Sequence, residues 1–338
     1  MNNKTFIIAE AGANHNRDFQ QALNLIDAAH EAGADAVKFQ TYSSSTLYSK
    51  NTPNFAGYSN ISELIKKIEM PREWQYDLKK HCDNKGIEFM STPFDESAVQ
   101  QLKELGVKRL KIAGFESTDP RFVKMVASSE LPIIVSAGIG SNLDSIGSIV
   151  SWISEVSPNP EITILHCNNA YPTPDCDINL NRIQRIIEKY PDLKVGLSDH
   201  TKGILAPLLA VSKGATCIEK HFTLSRRLPG PDHPFAIEPD ELAEMVSNIR
   251  TAELMCTDTN SKITNSEIDF SKAMRSVVAT RFIKAGDVFT KDNITTKRPS
   301  LNNTIPANLY YDILGQTALC NIEEDHIIVF EEVSNVKR

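Results

Sequence analysis

KVGLSDHTKGILAPLLAVSKGATCIEKHF, residues 194–222, carries the unit that decides the fold. A short apolar, β-rich run ends in Ser198, Asp199 and His200; GILAPLLAVSKG (203–214) follows with helical spacing; a second β-rich run ends in Glu219, Lys220 and His221. Strand, amphipathic stretch and strand in that order predict parallel strands joined by a crossover helix. The unit recurs upstream. Further strand-like runs are FIIAE (6–10), AVKFQT (36–41), IEFMST (87–92), RLKIA (109–113), PIIVSA (132–137) and ITILHC (162–167). Helical patterns include FQQALNLIDAAHEAG (19–33), EWQYDLKKHCDNKG (73–86), LDSIGSIVSWISEV (143–156) and PDELAEMVSNIRTAELM (239–255). Eight runs alternating with eight helices predict an α/β fold, a closed (β/α)8 or TIM barrel over residues 1–255. A doubly wound open sheet is the alternative that pattern alone leaves standing.

Past Met255 the pattern changes. Residues 256–274 are polar and aperiodic and read as a linker, and 275–338 hold short β-like runs broken by turn residues, a small strand-rich module. The whole chain has 338 residues, whereas a barrel takes about 250, so barrel plus module accounts for the length. Hydrophobic content of 41% and charged content of 23% are those of a globular protein. With 36 basic against 43 acidic residues and no long basic run, nucleic acid and anionic membrane are poor partners. No apolar stretch approaches the roughly 18 residues of a membrane helix, and the four-residue apolar run before Glu10 is too short for a secretory segment. Six scattered cysteines without CxxC pairs argue against a zinc cluster or disulfide scaffold, so a cytoplasmic setting is expected.

Barrel active sites gather at the C-terminal ends of the strands. Polar residues there are Glu10, Lys38, Gln40, Ser91, Thr92, Lys111, Ser136, His166, Asn168, Asn169, Ser198, Asp199, His200, Glu219, Lys220 and His221. His200 and His221 end neighbouring strands, and two imidazoles with a nearby carboxylate suit a divalent metal with positions left open; plain hydrogen bonding is the other reading. Lys38 and Lys111 sit in apolar runs, where an unpaired ammonium is costly. They face either an anionic ligand, helped by donors such as Thr92, Ser136 and Asn169, or ion-pair partners such as Glu10 or Glu116. Glu10 and Glu219 are candidates for handling a water or a proton. Asp232, in the Pro- and Gly-restricted stretch RRLPGPDHPFAIEPDE (226–241), is either presented over the mouth or a turn residue.

The stretches IIAEAGANHN (7–16), GADAVKFQT (33–41), FMSTPFD (89–95), LKIAGFE (110–116), IIVSAGI (133–139), LHCNNAYPTP (165–174), GLSDHT (196–201) and PGPDH (229–233) identify a resemblance. In that order the chain resembles the N-acetylneuraminate (sialic acid) synthase family, including legionaminate and pseudaminate synthases. SVVATRFIKAGDVFTKDNITTKRP (276–299) looks like its antifreeze-like (SAF) module. The resemblance implies condensation of phosphoenolpyruvate with an N-acyl amino sugar, N-acetylmannosamine first, or a di-N-acetylated deoxyhexose. It implies His200 and His221 as ligands of a divalent metal, most often Mn2+, with Mg2+ or Co2+ possible. Lys38, Gln40, Thr92, Lys111, Asn169 and Ser198 match the phosphoenolpyruvate pocket. Glu10, Tyr171, Glu219 and Asp232 match positions around the sugar and the attacking water. Arg298 matches an arginine that reaches the partner's sugar N-acyl group in a domain-swapped homodimer.

The sequence departs from the family pattern at Gly114-Phe115, where a serine is usual, at Arg17, where glycine is usual, and at SLNNT (300–304). Two other readings have separate marks. A metal-dependent barrel hydrolase typically carries an HxH pair after strand one, where this chain has Asn14-His15-Asn16; a non-catalytic carbohydrate binder has no need of the lysines, histidines and acids retained here.

Overall fold

The computed structural model describes residues 4–54, 60–257 and 263–336. The chain divides into two compact units, Met1–Thr257 and Asp258–Arg338.

In the first unit the strands are β1 Phe6–Gly12, β2 Ala36–Thr41, β3 Glu88–Pro93, β4 Leu110–Ile112, β5 Ile133–Ala137, β6 Ile162–Cys167, β7 Lys194–Asp199 and β8 Cys217–His221. Their order is β3-β2-β1-β8-β7-β6-β5-β4 and every ladder is parallel. The sheet thus curls into a near-closed TIM-like barrel, its two ends meeting where β3 and β4 lie side by side. The barrel reading holds, and the open doubly wound sheet does not.

The helices are α1 Phe19–Glu31, α2 Ser44–Leu47, α3 Ile61–Ile68, α4 Trp74–Lys85, α5 Glu96–Leu105, α6 Pro120–Ala127, α7 Leu143–Ser154, α8 Asn181–Lys189, α9 Leu205–Ser212 and α10 Pro239–Met255. Asp18, Asp95, Asp119 and Asn142 each accept backbone N–H groups at a helix start, satisfying donors that have no intrahelical partner. The inward faces of these helices bury Ile26, Leu102, Val126, Ile149, Ile186 and Ile249 against the outer side of the strands. Helices α2 and α3 fall where the sequence analysis places no helix; α2, with four residues, is too short to display an apolar repeat. Among the described residues no helix is long and apolar enough to cross a membrane.

Inside the barrel, strand alternation stacks side chains in layers. Ile8, Ala36, Met90, Ile134, Leu165 and Cys217 form a separate apolar plug with Phe6. Two residues further along the same strands come Glu10, Lys38, Thr92, Ser136, Cys167 and Glu219, all buried. The plug closes the floor beneath the charged layer and keeps it away from the opposite end of the barrel.

The second unit pairs β9 (Ser276–Ala279) with β10 (Ile294–Lys297) in an antiparallel ladder, Ile294 opposite Ala279. Single bridges such as Val278 with Ile327 and Ile283 with Ile322 extend the pairing around a core of Val277, Ile283, Phe289, Ile294, Ile305 and Ile328. Of the expected linker, residues 258–262 lie outside the described residues, and the remainder holds two short 3-10 turns, Asn265–Glu267 and Phe270–Ala273.

Gly196 occupies the plug layer on β7, and a Cβ there would lie 2.1 Å from the Cys217 carbonyl oxygen and 2.7 Å from Leu165 Cδ2. Backbone cannot move aside as a flexible side chain can. Gly196→Ala is therefore expected to destabilise the protein by about 2 kcal/mol or more, the scale of overpacking a close-packed core. Urea unfolding measures it, and an unchanged midpoint would mean that the barrel floor is loosely packed.

Candidate active site

The charged layer is a compact ionic network. Lys38 Nζ lies 2.8 Å from Glu10 Oε2 and 3.7 Å from Glu219 Oε2, and Lys111 Nζ lies 3.6 Å from Glu219 Oε1. Polar neighbours fix the four groups: Lys38 donates to Thr92 Oγ1 (2.8 Å), Lys111 to Ser136 Oγ (2.7 Å), Gln40 to Glu10 Oε1 (2.8 Å) and Ser198 to Glu219 Oε1 (3.0 Å). The lysines are thus ion-paired, with Glu219 taking for Lys111 the place that Glu116 was a candidate to fill.

Burial acts on all four groups, and their neighbours decide the outcome. Glu219 is pushed up by burial, but Lys111 and Lys38 outweigh this and hold it below the ordinary carboxylate range. Glu10 is pushed up by burial, pulled back by Lys38 and pushed up again by Glu219, reaching about 7. Burial lowers Lys111 despite Glu219, whereas Lys38 gains enough from Glu10 and Glu219 to rise. One carboxylate therefore stays ionised while the other exchanges a proton near neutrality.

Above this layer the mouth holds two imidazoles, with ring centroids 5.3 Å apart. His200 Nδ1 lies 2.6 Å from the Asn168 carbonyl oxygen, which can only accept, so the proton sits on Nδ1 and the Nε2 lone pair is free. His221 Nδ1 is buried without a hydrogen-bond partner, 3.5 Å from Asp232 Oδ2. Burial lowers His200 to about 4 and His221 well below its ordinary value, so both are neutral and fit to ligate a cation. No set of three His, Cys, Asp or Glu side chains is grouped as a metal site among the described residues. The chemistry of the donors fits a site with two protein nitrogens and positions left to water or substrate.

Asp232 reaches the mouth because the loop after β8 is clamped. Thr223 Oγ1 and His233 Nδ1 are 2.6 Å apart, and Asn14 Nδ2 donates to the Phe222 carbonyl at 2.8 Å. Burial raises Asp232 to about 6. Gly12 stands at this convergence with a φ of 51°, in the left-handed region that favours glycine, and a Cβ there would only touch Asp232 Oδ2 and Glu10 Oε1 at 3.4 Å. Tyr171 packs against His200 with centroids 4.1 Å apart.

The structure thus brings together Glu10, Lys38, Gln40, Thr92, Lys111, Asn169, Tyr171, Ser198, His200, Glu219 and His221 around one narrow cleft of about 40 Å3, with Asp232 beside His221. Arg298 belongs to the second unit, exposed immediately after β10. Cys167 lines the cleft but was not singled out from sequence; its position two residues from Leu165 and Asn169 was the available signal. Several strand-end candidates point the other way, because alternate residues of a strand face the helices. His166 Nε2 bonds the Ile178 carbonyl, Ser91 bonds Thr41, and Lys220 pairs with Asp199. A larger cavity of about 580 Å3 between α4 and α5 has Arg72 and Lys79 on its wall, both already paired with Asp95 and Asp83.

Two sequence departures have a local basis. Arg17 adopts a φ of 59°, the left-handed conformation that a glycine takes without strain. A Cβ at Gly114 would lie 2.7 Å from Asn169 Nδ2, and one at Gly138 would lie 1.9 Å from Asn169 Oδ1. The Asn169 amide occupies the space between the two glycines, its Oδ1 accepting from Ile139 N at 2.8 Å.

Comparison with known proteins finds relatives along nearly the whole chain. The NeuB family profile matches residues 25–261 and the SAF domain profile matches residues 274–334. The chain is 37% identical over 339 residues to the N,N'-diacetyllegionaminic acid synthase of Legionella pneumophila, covering 97% of this chain and 94% of the relative. It is 36% identical over 327 residues to a pseudaminic acid synthase of Campylobacter jejuni, covering 95% and 94%. A crystal structure of N-acetylneuraminic acid synthetase from Leptospira borgpetersenii in complex with citrate superposes with a TM-score of 0.72 at 38% identity, over 80% of this chain and 90% of that one. The chain belongs to the NeuB family of sialic, legionaminic and pseudaminic acid synthases and carries a SAF domain.

Proposed function

We propose that the protein joins phosphoenolpyruvate to the open-chain form of an N-acylated amino sugar, giving a nine-carbon nonulosonic acid and phosphate. The observation that carries this reading is the buried layer of two lysines around an ionised Glu219, directly beneath two neutral histidines. Two ammonium groups with Thr92, Ser136, Asn169 and Ser198 around them form a receptor for a small polyanion.

C3 of phosphoenolpyruvate attacks the sugar aldehyde, and cationic character develops at C2. Glu219, held ionised by Lys111 and Lys38, offers negative charge to that cation. Water then adds to C2, and phosphate leaves the tetrahedral intermediate by C–O cleavage. Glu10 titrates near neutrality and is suited to take the proton from the water; Gln40 keeps its carboxyl oriented. Arrival of the substrate anion competes for Lys38 and raises the proton affinity of Glu10 further. A divalent cation held by His200 and His221, Mn2+ foremost, with Mg2+ or Co2+ as alternatives, supplies Lewis-acid polarisation of the aldehyde oxygen when bound.

For the acceptor we favour a di-N-acylated deoxyhexose over N-acetylmannosamine. The support is the names of the relatives with 36% and 37% identity, and the apolar rim of Phe115, Ile139 and Tyr171, which are 56%, 61% and 45% exposed. Methyl groups of a second acyl arm and of a deoxygenated carbon suit such a rim. The working unit is a domain-swapped homodimer in which Arg298 of one chain reads the N-acyl group bound by the other.

Phosphate release should require phosphoenolpyruvate, a divalent metal and a diacylated deoxyhexose together. Chelation should abolish it and Mn2+ restore it, while turnover with N-acetylmannosamine alone would refute the acceptor assignment. Lys111→Met is expected to weaken phosphoenolpyruvate binding by about 2 to 4 kcal/mol, the scale of removing a buried charged partner. Calorimetric titration of a variant with unchanged circular dichroism checks this, and an unchanged Kd would exclude Lys111 from the anion site. Arg298→Ala and His221→Ala chains, each inactive alone, should regain activity on mixing, since a hybrid dimer holds one intact site. Subunit exchange without recovered activity would remove Arg298 from the partner's site.

A further inference from the structure

Two fully buried charges take no part in this chemistry. Lys220 and Asp199 form an ion pair of 2.6 Å with side chains 1% and 0% exposed, on the helix-facing side of the barrel wall. They are direct cross-strand partners between β7 and β8. Each immediately precedes one of the two histidines.

The pair is anchored on both sides of His200. Asp199 Oδ1 accepts from Thr201 N at 2.9 Å and Oδ2 from Thr201 Oγ1 at 3.1 Å, while Lys220 Nζ also donates to the Thr201 carbonyl. One ammonium on β8 therefore grips the residues before and after His200, and the next residue along β8 is His221.

We infer that Asp199, Lys220 and Thr201 form a clasp that fixes the separation and aim of His200 and His221, and so sets the affinity of the site for a divalent cation. These are positioning residues that act through the backbone from outside the cleft. The ion pair by itself is weak evidence of a stabilising role, because replacing a buried pair by apolar residues of similar volume is often neutral or stabilising. What apolar contacts cannot reproduce is the tether: one ammonium bonded to a carboxylate and a carbonyl on either side of His200 ties the ends of β7 and β8 together at hydrogen-bond distance. Partners beyond a ligating histidine commonly change metal affinity by about 10- to 100-fold.

The inference rests on the two histidines being metal ligands, and the test separates the two ideas. Mn2+ binding to purified full-length protein is measured from the electron paramagnetic resonance of the free ion, and Co2+ visible absorption reports coordination geometry. The double variant Asp199→Leu/Lys220→Met removes both charges and leaves the buried Thr201 N–H, hydroxyl and carbonyl without these partners, so its unfolding midpoint is expected to fall while it stays folded under binding conditions. Its Mn2+ affinity is expected to fall about tenfold or more, with a shifted Co2+ band. A folded double variant that binds Mn2+ as tightly as the parent, with an unchanged Co2+ band, overturns the clasp and leaves the metal site standing. Parent protein that binds no Mn2+, or His221→Ala protein that binds it as tightly as the parent, overturns the metal reading and the clasp with it. Should the double variant fail to fold, Asp199→Asn keeps the side-chain shape and the bond from Thr201 N; weaker Mn2+ binding by this variant supports the clasp and parental affinity overturns it.

Discussion

Four charges buried in one layer of a barrel constrain everything around them. Lys38, Lys111, Glu10 and Glu219 are each at most 4% exposed. An isolated charge in such a place is prohibitively costly, so the four must lie close enough to compensate one another and must be held by further polar groups. Thr92, Ser136, Gln40 and Ser198 meet that need from four different strands. The apolar floor of Ile8, Met90, Ile134 and Leu165 excludes water from below, which strengthens the electrostatics of the layer and leaves the mouth as the way in.

Chemistry follows from an asymmetry within that layer. Glu219 stands near both lysines and is held ionised, while Glu10 pairs closely with one and is pushed up to about 7. Two carboxylates of similar intrinsic acidity thereby differ in proton affinity, one held ionised and the other titrating near neutrality. At the mouth, desolvation keeps His200 and His221 neutral, and the Asn168 carbonyl selects the tautomer of His200. Neutral donors above and a balanced charged layer below form a cleft graded in polarity along the barrel axis.

The rim is shaped by two glycines and one amide. With glycines at 114 and 138, the Asn169 amide lies across the ends of β4 and β5 and is tied to Ile139 N. A side chain at 114 would have to displace it. Glycine at 114 thus leaves room for the Asn169 amide, while Phe115 and Ile139, the residues that follow the two glycines, stand exposed.

Much of this was legible in the sequence, because alternation of period 2 and period 3.6 is dictated by local geometry and survives in any tertiary context. Eight strands, their parallel pairing, and the residues Glu10, Lys38, Lys111, His200, Glu219 and His221 at their ends could be read from that alternation alone. What periodicity does not give is the side of the strand on which a polar end residue falls once the barrel closes. Lys220 and Asp199 look as much like site residues as Glu219 does, yet the closed barrel turns them toward the helices, where they pair with each other. Nor could spacing decide between a lysine facing a ligand and a lysine facing a carboxylate. Only the closed barrel brings Glu219 of β8 between Lys38 of β2 and Lys111 of β4, since strands remote in sequence meet across its interior. Proton affinities are likewise tertiary properties, set by burial and by neighbours that no local stretch contains.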